Sequence, residues 1–202
     1  ILLTGDQEER IFNILFNTIQ PMTIFISYEF LAKGLINNKA KPSENFFFQT
    51  VNFLQMKGQE LKPFVVNSVC NFLAHTIRKF FLDEESCKKI LGFLLNDLLG
   101  IEMQPLKQFI GLKISESLIS NFRTFSYSNS YMVYRQMMSK FHNEALVNIY
   151  EKVFQIISSR GSFLTGYDDI EFEKVSINTL FLCVGFNFAI SYFDFETDTD
   201  SD

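Results

Sequence analysis

The sequence predicts an all-α protein made of helical hairpins stacked in file, and three observations carry that prediction. Three of its four prolines, Pro21, Pro63 and Pro105, stand 42 residues apart. Each heads a helix-length, largely apolar segment: "PMTIFISYEFLAKGLI", "PFVVNSVCNFLAHTI" and "PLKQFIGLKISESLI". Each is preceded by a second segment with helix-start signals of its own. Proline suits the first turn of a helix, because the N–H it lacks would have had no partner within the helix. Residues 63–81 have so little polar surface that their helix must be covered by neighbours on more than one side.

The leading helix of each pair comes in order along the chain. Residues 6–19, "DQEERIFNILFNTI", open with acidic side chains, which suit the positive end of a helix. Residues 43–57 begin with Ser43 as a cap just after Pro42, and residues 83–99 begin with Asp83 and end at Gly100, a glycine placed to close the helix. After Arg123 the period breaks. The Ser-, Asn- and Tyr-rich stretch 124–142 is expected to be an extended insertion with one helical turn near Met137. A fourth pair is predicted at 143–159 and within 172–192, joined by the two-glycine loop "RGSFLTGYDDIE", and an acidic loop at 193–202 closes the chain. The repeats therefore fall at 6–37, 43–81, 83–123 and 143–192 of one segment, about four hairpins in all. A period of 42 lies within the range of about 40–47 residues typical of HEAT and armadillo repeats, so the expected architecture is an α-solenoid. The competing reading is an ordinary bundle of unrelated amphipathic helices.

Composition narrows the function classes. Of the 202 residues 47% are hydrophobic and 20% charged, which supports a sizeable core and excludes a disordered chain. A net charge of −5 and scattered Lys and Arg argue against nucleic-acid binding, which needs a concentrated basic face. Cys70, Cys87 and Cys183 have neither CxxC spacing nor a nearby His, and are expected to be buried, reduced thiols of a cytosolic or nuclear protein. The uncharged run 175–193 is long enough to cross a bilayer, but Ser176, Asn178, Thr179, Asn187 and Ser191 favour a packed helix. The start at Ile1 rather than Met predicts a piece of a longer superhelix.

No nucleophile elbow, phosphate-cradling loop, zinc motif or paired-acid arrangement occurs, so no enzyme, metal or cofactor is expected. His75 and His142 have no ligand-like neighbours in sequence. Alternate acids at Asp194, Glu196, Asp198, Asp200 and Asp202 lack the glycine and closing Glu of a calcium loop, and Thr197, Thr199 and Ser201 among them suit an acid-directed kinase. A more pointed pattern lies in the proline-led helices. Eight, twelve and sixteen residues past each proline stand Glu29, Lys33 and Asn37; Asn71, His75 and Lys79; and Lys113, Ser117 and Asn121. Steps of four keep these on one helical face, so stacking aligns them into a polar band along the inner surface. Such a band is either a solvated face or a partner-binding surface.

Three colinear stretches, "FLAKGLINNKAKPSENFFFQTVNFL", "KPFVVNSVCNFLAHTIRKFF" and "YRQMMSKFHNEALVNIYEKVFQII", followed by the closing "FNFAISYFDFETDTDSD", resemble the N-terminal HEAT repeats of the importin-β superfamily of nuclear transport receptors, most closely the exportin seven (Ran-binding protein sixteen) group. The resemblance implies a receptor shuttling between cytoplasm and nucleus. It implies a site for the GTP form of the small GTPase Ran on the second helices of the first repeats, cargo bound by repeats outside this segment, contacts with nucleoporins, and no membrane span. By place in the repeat, Glu29, Lys33, Asn71, His75, Lys113 and Ser117 fall on the Ran-facing surface. The alternative is a HEAT-repeat scaffold for protein assembly outside transport.

Overall fold

The computed structural model describes residues 5–18, 20–37, 42–81, 83–123, 131–160 and 167–197; every regular element among them is helical and none is a strand. The helices are α1 (Gly5–Asn17), α2 (Pro21–Ile36), α3 (Glu44–Lys57), α4 (Pro63–Phe80), α5 (Glu84–Phe93), α6 (Pro105–Arg123), α7 (Tyr131–Phe141), α8 (Val147–Arg160) and α9 (Tyr167–Thr197). A π-helical turn, Leu94–Leu98, extends α5, and another, His142–Leu146, joins α7 to α8 without a break. Counted as continuous rods, the described residues form eight helices.

Local chemistry sets most of the starts. Pro21 and Pro63 sit in the first turn of α2 and α4, and Pro105 opens α6. Ser43 caps α3 by accepting from the Phe46 N–H at 3.1 Å, and Asp83 caps α5 by accepting from the Ser86 N–H at 3.3 Å. At the far end of α5 the Leu99 N–H returns to the Leu94 carbonyl, and Gly100 follows one residue later.

Packing arranges these helices in two tiers. In one, α4 lies between α2 and α6, and α6 lies between α4 and α9. This is why α4 is buried on nearly every side, with Val65, Val69, Cys70, Phe72, Leu73, Ala74 and Ile77 all in the core. In the other tier α1 meets α3, α3 meets α5 through the Phe48 and Phe93 rings 5.1 Å apart, and the π turn after α5 meets α8. Polar cross-links set the spacing of this tier. Glu8 is buried, accepting from the backbone N–H of Ser43 at 2.6 Å and from its hydroxyl, while Glu44 accepts from the Ser86 hydroxyl at 2.6 Å. Glycine allows one close approach between helices: a Cβ on Gly111 of α6 would lie 2.9 Å from Leu98 Cβ and Leu99 Cδ2.

Three expectations need correcting. Residues 131–142 of the expected insertion are helical, as α7 and the start of the π turn, whereas 124–130 lie outside the described residues. Arg135, Gln136, Met137, Met138 and Lys140 are good helix formers, and long-range packing anchors the helix. Phe141 stacks on Phe122 of α6 at 4.2 Å with ring planes 9° apart, and also meets Phe81 and Phe186 edge-on. The Tyr134 hydroxyl donates to the Phe122 carbonyl at 2.6 Å, satisfying one of the orphan carbonyls at the end of α6. In the expected acidic loop, 193–197 belong to α9 and 198–202 lie outside the described residues. The loop between the last two helices is shorter than expected, because α9 begins at Tyr167.

No helix among the described residues is long and apolar enough to cross a membrane. In α9, Ser176 and Thr179 are buried with their hydroxyls donating to backbone carbonyls one turn back, both at 2.8 Å.

Candidate functional site

The tier of proline-led helices carries the polar band, and its members have separate fates. Glu29 on α2 is half-buried and accepts from the Ser68 hydroxyl of α4 at 2.9 Å. Asn71 on α4 accepts from the Asn121 amide of α6 at 3.4 Å. Lys113 is half-buried and pairs with Glu116 one turn on at 3.3 Å, and Glu116 accepts from Asn178 of α9 at 3.4 Å. Successive helices of this tier are thus linked in order, α2 to α4 to α6 to α9, by polar side chains.

The Glu29–Ser68 and Asn71–Asn121 links border an open groove of about 420 Å³ that runs across α2, α4 and α6. Phe25 and Glu29 of α2, Phe64, Asn67 and Asn71 of α4 and Ser117 of α6 line it, with Ser68 on the floor beside Glu29. Phe25 and Phe64 meet edge-to-face with centroids 5.4 Å apart, and Phe64 is 42% exposed. The structure therefore brings together Glu29, Asn71 and Ser117 of the six candidate residues. Lys33 is exposed and lies outside the groove lining.

His75 does not belong to an exposed face. It is only 9% exposed, because α4 is covered on both flanks by α2 and α6. Loss of solvent, followed by the neighbouring charges of Arg78 and Lys79, pulls its pKa down to about 4, so at neutral pH it is an uncharged core group. Arg78 is held by its own contacts: one guanidinium N–H donates to the Asn121 carbonyl at 2.8 Å, and the group lies over the Phe122 ring.

Phe25, Phe64, Asn67 and Ser68 were missed by the reading of the sequence. Asn67 lies one turn before Asn71, so the polar stripe of α4 extends back to it. The equivalent places on the other two helices are Phe25 and Phe109, which break the all-polar pattern.

Burial pushes the Cys70 and Cys183 thiols up to about 12 and Cys87 to about 11, which keeps all three protonated and weakly nucleophilic at neutral pH. Among the described residues no group of three or more His, Cys, Asp or Glu is placed to hold a metal ion. Comparison with protein-family models, with curated proteins and with solved structures gave no match.

Proposed function

We propose that this chain is a HEAT-type α-solenoid segment of a nuclear transport receptor of the importin-β superfamily, exportin-like, which binds the GTP form of Ran through α2, α4 and α6. The observation that supports it is the side-by-side order of the helices led by Pro21, Pro63 and Pro105, with α4 between α2 and α6. A 42-residue recurrence predicts that order and an ordinary bundle does not. Glu29, Asn71, Lys113 and Ser117 lie partly open along this tier, as a docking face requires, and Lys33 is exposed beside them. His75 is withdrawn from the contact set by its burial.

The reading is tested by capturing the chain on immobilised Ran loaded with GTP analogue or with GDP. Retention by the GTP form and not by the GDP form is the expected result. Equal retention by both, or none, overturns it and favours the scaffold reading, in which the same face holds a different protein.

A further inference from the structure

The groove of α2, α4 and α6 has a chemical bias that neither its fold nor the Ran reading supplies. Glu29 reaches its wall with one carboxylate oxygen, Oε1, accepting from Ser68. It forms no ion pair among the described residues; Lys33, one turn further along α2, is exposed and beyond ion-pair distance. A carboxylate in a partly enclosed site attracts a cation and repels an anion, and an apolar side chain seated there would strand its charge. Beside it the Phe25–Phe64 pair presents aromatic surface to solvent, and the Asn67 and Asn71 amides stand along the same wall.

Carboxylate, aromatic rings and side-chain amides together match one side chain best. A guanidinium is flat enough to lie along a ring, weakly hydrated enough to leave water at low cost, and carries five N–H donors in a fork that fits a carboxylate. A lysine ammonium offers a strongly hydrated point charge and no flat face. A groove of about 420 Å³ has room for a single long side chain. The net charge of −5 favours approach of a cationic partner.

We propose that this groove is an arginine-binding subsite, taking one guanidinium from a protein partner onto Glu29 between Phe25, Phe64 and the Asn67 and Asn71 amides. This rests on the reading above only in treating the α2–α4–α6 face as a docking face.

The probe is Nα-acetyl-arginine amide, titrated into the full chain while backbone amide shifts are followed by NMR, with the uncharged citrulline counterpart as the comparison. Saturable shifts at Phe25, Glu29, Phe64, Asn67 and Asn71 with arginine, and none with citrulline, are expected. Glu29→Gln keeps an oxygen for Ser68 and should weaken the response about tenfold or more, the loss typical of a charge-assisted hydrogen bond. Phe64→Ala, at a partly exposed position, should weaken it severalfold with the fold intact, and decides the matter if Glu29→Gln fails to fold. Equal shifts with citrulline, no effect of either substitution, or shifts as large around the exposed Glu84 and Glu85 would overturn the proposal. Arginine binding without Ran binding leaves the subsite standing and defeats the transport reading. Ran binding without an arginine response does the reverse.

Discussion

His75 shows how one residue's surroundings set its chemistry. In the unfolded chain a histidine titrates near pH 6.5, and in the fold this one is held down to about 4 by burial and by Arg78 and Lys79. A base with a depressed folded pKa is neutral in both states above pH 6.5, so it costs nothing there. Between 6.5 and about 4 the unfolded chain takes up the proton and the folded one resists it. Stability should therefore fall as the pH is lowered across that window, by up to about 1.4 kcal/mol per unit. Urea denaturation of the wild type and of His75→Gln at pH 7.5, 6 and 5 checks this: the variant should lose less stability on acidification. If the two curves run parallel, the imidazole is not shielded as described. The position was legible as polar in the sequence, but its exposure was not. Helical spacing reports which residues share a face, whereas only the arrival of α6 decides that this part of the face is covered.

At the scale of the element, the strongest contrast lies between α4 and α7. Proline at the start and the apolar run behind it specify α4 locally, and the chain does form that helix. For α7 the Ser-, Asn- and Tyr-rich residues ahead of it masked a segment whose own Met, Arg, Gln and Lys residues are good helix formers. Its helicity is supported from a distance. Phe141 is fully buried within the rings of Phe81, Phe122 and Phe186, and Tyr134 closes a carbonyl at the end of α6. Removing that anchor should therefore hurt more than an ordinary loop substitution. Phe141→Ala is expected to cost about 3–5 kcal/mol, the range for deleting a buried phenyl ring. Hydrogen exchange should show protection lost first in 131–146. Loss confined to α3, with α7 still protected, would disprove the anchoring role.

For the whole molecule, the order of helices leaves two flanks with no neighbouring helix among the described residues. On α2 the exposed apolar side chains Met22, Ile26 and Phe30 recur every four residues, and Phe30 is 77% exposed. On α9 Ile177, Phe181 and Val184, four and three residues apart, also share one exposed face, with Phe181 73% exposed. Within the file, the corresponding flanks of α4 and α6 are covered by the next helix. Contiguous apolar surface of this kind drives association. The isolated chain should therefore self-associate as its concentration rises, and Phe30→Glu with Phe181→Glu should suppress this without changing helicity. Light scattering after size exclusion measures it. A chain that stays monomeric at high concentration, or a double variant that associates equally, would count against the flanks as the cause.

By itself, the sequence determined where α2 to α6 begin and that all the expected elements are helical. Prolines 42 residues apart and the Ser43 and Asp83 caps act through bonds to their own next turn, and such rules hold wherever the segment ends up. Tertiary structure alone decided that His75 is dry, that α7 docks on α6 through Phe141 and Tyr134, and that Glu29 meets Phe25 and Phe64 at a groove. Each of those depends on side chains tens of residues away, and the burial of a polar or indifferent residue is a property of its neighbours rather than of its own place in a pattern.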